Sequence, residues 1–220
     1  MNQTNLTYIQ KQILYGLLLS DAGLYIDYRN KNPKPIFQLS SITKSFIEDI
    51  KNNIPFIYGP IIIRKSYKTQ TYTAKESYLL RSHIDSYLIK EYYRWYIQRK
   101  KVVPKDFILT PLILKYWFYG DGSTSYKTKV HNTVCLTLSS NSFTLDEVQF
   151  LIKRLNIDCG LSGFFIHNNK GPEIQTNNTK LIQKFFDYIG NCDIIDFKYK
   201  WKIPYFIKGD KYESRNSFAD

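Results

Sequence analysis

Two stretches of the chain are apolar runs at helical spacing, and each ends in a small residue followed by an aspartate. One is Leu14-Tyr15-Gly16-Leu17-Leu18-Leu19-Ser20-Asp21-Ala22. The other is Leu114-Lys115-Tyr116-Trp117-Phe118-Tyr119-Gly120-Asp121-Gly122. The two aspartates stand 100 positions apart.

Around them, polar and apolar positions predict the same elements twice. After Asp21, alternation predicts a hairpin over 24–29 and 36–41, with Asn30-Lys31-Asn32-Pro33 as its turn and Leu39-Ser40-Ser41 as its close. After Asp121, strands over 123–129 and 133–140 turn near His131-Asn132 and close in Leu138-Ser139-Ser140. Helices over 42–53 and 143–156 follow. A second strand pair is predicted over 56–67 and 70–73, matched by 163–167 and 173–176 around Asn168-Asn169-Lys170-Gly171. Helices over 74–96 and 179–189 come next. Pro104 and Pro204 keep the separation of the aspartates, which points to a duplication.

Helix starts support this order. Thr7 with Gln10, Thr73 with Glu76 and Thr144 with Glu147 fit capping boxes. Thr110-Pro111 supplies an N-cap and a proline at the first helical position. Each half thus reads α-β-β-α-β-β-α, an α+β class, with a split between 1–104 and 105–220 and a short polar tail at the C-terminus. In Val134-Cys135-Leu136-Thr137-Leu138 the even positions are apolar, and in Phe37-Gln38-Leu39 the apolar pair brackets a glutamine. This is the pattern of a sheet with helices on one face and something polar on the other.

Charge identifies that polar partner. The 220 residues carry 31 basic and 19 acidic side chains, a net +12 and a pI near 9.4. Such a surface favours a polyanion, and DNA is the partner expected on the polar sheet face. Apolar residues at 43% allow a sizeable core. No apolar run approaches the ~20 residues that span a bilayer, and the polar N-terminus predicts no targeting peptide. Cys135, Cys159 and Cys192 form no CxxC pair, which excludes a zinc ribbon and fits a reducing compartment. His83, His131 and His167 lack HNH or zinc spacing, and Tyr58-Gly59 lacks the partner of a GIY-YIG motif.

Gly16 and Ser20 share one helix face, and Tyr116 and Gly120 hold the same slots in the second run. Small residues four apart let helices approach closely. Tyr116 is large for that role, so close contact is expected at Ser20 and Gly120. Packed side by side, the helices would make Asp21 and Asp121 neighbours. Singly, each aspartate reads as an ordinary turn residue. Together at helix C-termini they repel each other and the helix dipoles, and a divalent cation relieves both. Mg²⁺ takes one or two carboxylates plus substrate phosphate, so the pair points to metal-assisted phosphodiester hydrolysis, with Mn²⁺ a substitute.

These residues resemble the LAGLIDADG homing endonucleases, in the single-chain branch with two motifs. The nine-residue signature falls on residues 14–22 and 114–122, and its metal-binding acid on Asp21 and Asp121. Leu19 and Tyr119 replace the acid at the sixth position, and Ala22 replaces the last glycine of the first copy. The resemblance implies two pseudo-symmetric αββαββα halves, with motif helices at the interface and two antiparallel sheets forming a saddle on DNA. It implies a monomer that cuts both strands of a long site with Mg²⁺. It also implies assisting basic residues, for which Lys101 and Lys202 are the best matches and Lys100 and Lys200 the alternatives. An RNA maturase that assists intron splicing, with intron RNA as partner, is the competing activity on this fold. A DNA-binding module without catalysis is the third. Heavy use of Ile, Lys, Asn and Tyr fits an AT-rich genome, and an intracellular, organellar location (mitochondrion or chloroplast) is expected if the gene is organellar.

Two-stranded ribbons fit the major groove, where base edges are distinguishable. The expected DNA contacts in half one are Arg29, Gln38, Ser40, Arg64, Ser66, Lys68 and Thr71. In half two they are Ser125, Lys127, Lys129, Thr133, Thr137, His167, Glu173 and Gln175. The turn lysines Lys31, Lys34 and Lys170 are expected on outer bases or phosphates.

Overall fold

The computed structural model describes residues 6–201, apart from 27, 29, 30, 32, 55, 56, 58, 70, 129–132, 169 and 170; of Lys127, Thr128 and Thr133 it describes the backbone only. Half one runs α1 (Tyr8–Leu19), β1 (Gly23–Ile26), β2 (Pro35–Ser41), α2 (Lys44–Asn53), β3 (Ile62–Arg64), β4 (Tyr67–Lys68), β5 (Thr73–Ala74), β6 (Ser77–Arg81), α3 (Ser86–Trp95), β7 (Tyr96–Ile97) and β8 (Lys100–Lys101). Half two runs α4 (Pro111–Asp121), β9 (Gly122–Thr128), β10 (Thr133–Leu138), α5 (Leu145–Cys159), β11 (Phe165–Asn168), β12 (Pro172–Thr176), α6 (Thr179–Ile189) and a 3₁₀ helix, Ile195–Lys200.

Local signals place most of these elements. Thr7 Oγ1 accepts from Gln10 N at 3.2 Å while Thr7 N donates to Gln10 Oε1 at 2.9 Å, a complete capping box. Thr144 and Glu147 repeat it at α5, and Thr110 caps α4 ahead of Pro111. The turns expected around Asn30, Asn32, His131-Asn132 and Asn169-Lys170 lie outside the described residues.

Residues 74–96 depart from expectation. In place of one helix they hold Ala74 of β5, strand β6, helix α3 and the start of β7. Thr73 and Glu76 cap nothing; Thr73 belongs to β5, and the true N-cap is Asp85, whose Oδ1 accepts from Tyr87 N at 2.8 Å. The strand prevails because β6 fills the sheet between β2 and β3, pairing Leu80 with Leu39 and Leu79 with Ser40 and Ile62. Such pairing is worth more than local propensity. Among the described residues of 56–67, the strand is limited to β3, and Tyr67 joins a separate small hairpin, β4–β5.

The two four-stranded sheets have matching order, β1-β2-β6-β3 and β9-β10-β12-β11, all antiparallel. Leu24, Phe37, Leu39 and Leu80 face the helices in the first; Val134, Leu136, Leu138 and Ile174 do so in the second, and all eight are buried. Helices α1 and α4 pack together at the centre. Leu14, Leu17, Leu18, Leu114, Trp117 and Phe118 are fully buried there, as expected for helices apolar nearly all round. Each buried leucine contributes about 2 kcal/mol by area.

The connection between the halves is pinned to α5 at both ends. Val103 N donates to Glu147 Oε1 at 2.8 Å, and Leu109 N donates to Asp158 Oδ2 at 2.8 Å.

Candidate functional site

Two contacts set the spacing of α1 and α4. A Cβ on Gly16 would lie 2.5 Å from the Ile113 carbonyl oxygen and 2.7 Å from Tyr116 Cβ. A Cβ on Gly120 would lie 2.6 Å from Ser20 Cβ. Close approach is therefore not confined to Ser20 and Gly120. Tyr116 tolerates it because only its Cβ meets Gly16, while its hydroxyl donates to Asp49 Oδ2 on α2 at 2.6 Å.

The helix ends differ in a way that separates the two acids. Helix α1 stops at Leu19, and the chain turns through Ser20 and Asp21, with Ala22 N donating to Leu17 O at 3.1 Å. Helix α4 continues through Asp121 and passes directly into β9. Asp121 is half-buried and Asp21 exposed, yet their carboxyl groups are within hydrogen-bonding reach. Burial, and then the charge of Asp21, raise the Asp121 pKa well above the carboxylate range.

Each half also sends one lysine to its own helix end. Lys101 Nζ donates to Ser20 O at 2.9 Å. Lys200 Nζ donates to Tyr119 O at 2.5 Å, to Gly120 O at 3.2 Å and to Phe118 O at 3.4 Å. Both ammonium groups satisfy terminal carbonyls and meet the negative ends of the helix dipoles. Burial lowers each lysine to about 8, opposed by the charges of Asp121 and then Asp21. The lysines thus face the same two carboxylates.

In half two, then, the structure brings Lys200 to the centre; Lys202 lies outside the described residues. In half one it brings Lys101, while Lys100 is exposed on the β7–β8 hairpin opposite Ile97. The partners are not at the regular offset because a hairpin delivers one and a 3₁₀ helix the other.

The donor set fits a hard cation. Two adjacent carboxylates with neighbouring backbone carbonyls suit a metal that completes its shell with water and phosphate. Among the described residues, no cluster of three or more His, Cys, Asp or Glu could form a closed cage.

The open sheet faces carry most of the remaining expected residues. In half one, Gln38 and Ser40 lie on the open face of β2 and Arg64 ends β3, while Ser66, Lys68 and Thr71 are exposed on or beside the β4–β5 hairpin. Lys31 and Lys34 sit between β1 and β2, the first exposed and the second half-buried. In half two, register puts Ser125 beside Cys135, Thr137 beside Gln175 and His167 beside Glu173 on one face. Lys127 and Thr133 are placed in strands by their backbones alone. Arg29, Lys129 and Lys170 lie outside the described residues.

Sequence reasoning missed part of this surface. Tyr25, Ser77 and Arg81 share the open face of sheet one, and Arg81 Nε donates to Gln38 Oε1 at 3.3 Å across β2 and β6. The signal that would have found Arg81 is Asp85, whose N-cap role starts the helix after it. No helix among the described residues is long and apolar enough to cross a membrane.

The model of the LAGLIDADG DNA endonuclease family matches residues 11–182. The chain belongs to this family. Among its relatives is a probable intron-encoded endonuclease 1 of Wickerhamomyces canadensis, 27% identical over 204 residues that cover 90% of this chain and 85% of the relative. The solved homing endonuclease I-WcaI, bound to its DNA recognition sequence, superposes with a TM-score of 0.78 at 26% identity, covering 91% of this chain and 88% of that one. A cytochrome b mRNA maturase bI2 of Debaryomyces hansenii is 27% identical over 162 residues, but the match covers 55% of its length. The two four-stranded antiparallel sheets of this family member form a saddle, and one chain holds both pseudo-symmetric halves.

Proposed function

We propose that the chain is a site-specific homing endonuclease that hydrolyses both strands of a long duplex DNA site, with Mg²⁺ held by Asp21 and Asp121. One observation carries the reading: two helix C-termini bring one acid each to a common point, and one lysine from each half faces that pair. A bound Mg²⁺ would supply Lewis acidity and a more acidic water, and Mn²⁺ would substitute. Asp21 and Asp121 would hold the cation, each at the helix end of its own half. Lys101 and Lys200 set positive charge beside the position where negative charge develops on phosphate oxygens. The open sheet faces supply groove contacts on either side. A division at 104/105 and an organellar location belong to the same proposal, the latter supported by the intron-encoded relative.

Incubation with Mg²⁺ and the uninterrupted host locus should give a double-strand break. Asp21→Asn and Asp121→Asn should each abolish it while leaving DNA binding in place. Retained cleavage in both variants would sink the mechanism. The maturase relative motivates one second reading, an RNA maturase that assists intron splicing on this fold. Tight binding of intron RNA, indifferent to both substitutions, would favour it.

A further inference from the structure

The β7–β8 hairpin that delivers Lys101 turns on Gln98 and Arg99, with φ of 50° and 67°. Two-residue turns of this left-handed kind favour Asn and Gly. Every other positive-φ position among the described residues is a glycine: Gly160, Gly163, Gly171 and Gly190. Gln98 and Arg99 both hold a backbone conformation where glycine is favoured, and strain of this sort gathers at functional sites.

That side chain is held in place. Arg99 Cζ stands 4.0 Å from the centre of the Tyr28 ring, a cation–π contact. The Tyr28 and Tyr92 hydroxyls share a hydrogen bond at 3.2 Å. The Tyr92 ring stacks on Tyr96 at 4.9 Å and 4°, and the Tyr96 hydroxyl accepts from Leu24 N at 3.0 Å. This chain of contacts ties the guanidinium to the strand that follows Asp21. Together these residues and Asp21 line one cleft of about 670 Å³.

The Tyr28 ring packs against the guanidinium and offers it no charged acceptor. No carboxylate pairs with Arg99 among the described residues. A planar edge of donors matches phosphate oxygens, where a lysine would offer only a point charge. The arrangement is one-sided. In half two the corresponding route is the 3₁₀ helix, residues 191–201 contain no arginine, and Phe197 and Trp201 pack against Tyr119.

We propose that Arg99, backed by Tyr28, clamps the phosphate backbone of the DNA strand that enters the cleft beside Asp21, and so makes the two strand cuts unequal. The inference rests on the endonuclease reading above. The test uses the full chain and a duplex carrying its cleavage site, recovered by selection from a randomised plasmid library, with each strand labelled separately. Arg99→Gly relieves the backbone at this turn and so keeps the fold. It should slow cutting of one strand by about tenfold, the effect of losing one charge-assisted hydrogen bond, leave the other strand unchanged and let nicked duplex accumulate. Arg99→Lys should recover part of the rate, and Tyr28→Leu should slow the same strand. Equal slowing of both strands, or no slowing, overturns the clamp while leaving the endonuclease intact. Wild-type protein that cuts neither strand overturns the endonuclease reading and the clamp with it.

Discussion

Gly120 and Ser20 touch so closely that a side chain on the glycine would collide with the serine's Cβ and hydroxyl. The ends of α1 and α4, which carry Asp21 and Asp121, are held together by the absence of one carbon. Gly120→Ala should therefore force the helices apart and cost about 1–3 kcal/mol, the usual penalty for overpacking. Cleavage should fall more than stability, because the separation acts where the two acids meet. Ser20→Gly combined with Gly120→Ala moves the Cβ to the other helix and should recover both. Urea unfolding together with single-turnover cleavage would check this; a double variant no better than Gly120→Ala alone would refute it.

Lys200 offers a sharper test than either acid, because Lys198 and Lys202 flank it at a spacing of two. Its ammonium reaches three carbonyls at the end of α4. Lys200→Ala should reduce the single-turnover cleavage rate by about 10²-fold, the scale for removing one positioned charge from a reacting centre. Lys198→Ala, at an exposed position, should leave the rate near wild type. In half one, Lys101→Ala should behave like Lys200→Ala, and Lys100→Ala like Lys198→Ala. Equal effects at 198 and 200 would show that bulk charge, not placement, is what matters.

Glu147 links the start of α5 to the connection between halves and should make stability depend on acidity. Burial pushes its pKa up, but hydrogen bonds from Thr144 N and Val103 N outweigh this and hold it below the ordinary 4.5. A depressed folded-state pKa means the charged form is favoured by folding. Its contribution is fully present above about 4.5 and is lost as pH falls through the lower folded value. Glu147→Gln keeps a side chain able to complete the capping box but removes the charge. The variant should be less stable near neutrality and should lose less stability than wild type on acidification. Urea midpoints measured across the acid range would check it; parallel curves would contradict it.

Sharp local signals made much of this architecture legible. Capping boxes at Thr7 and Thr144, the proline at 111 and the paired Leu-Ser-Ser closures each mark a boundary within two residues or so of where it lies. The duplicated motif brought out Asp21 and Asp121 because both sit at helix ends, where the chain pattern repeats without insertion. The segment after Thr73 was misread for a physical reason. Thr73 and Glu76 mimic a cap, and only pairing with β2 and β3, distant in sequence, decides that residues 77–81 are a strand. The lysines were ambiguous for a related reason: a left-handed hairpin and a 3₁₀ turn reach equivalent points from different residues, so a constant offset could not pair them.

Arg81, hidden by that misreading, carries the last prediction. It lies exposed at the end of β6 and donates to Gln38 across the open face of sheet one. Holding the guanidinium by Nε leaves its other N–H groups directed away from Gln38, the arrangement suited to a bidentate contact with guanine in the major groove. A base contact and a phosphate contact fail differently. If Arg81 reads a base, Arg81→Ala should cost about 1–3 kcal/mol of binding at one position of the site and relax discrimination there. Gln38→Ala should relax the same position more weakly, because it frees the arginine from its support. If Arg81 binds phosphate instead, affinity should fall for every sequence alike and the salt dependence should drop by about one counterion. Binding measured on a set of duplexes with single base changes, at two salt concentrations, separates the outcomes. The cross-strand bond to Gln38 favours the first, since a side chain steered into fixed geometry gains more from reading a base edge than from meeting a phosphate, which tolerates many approaches.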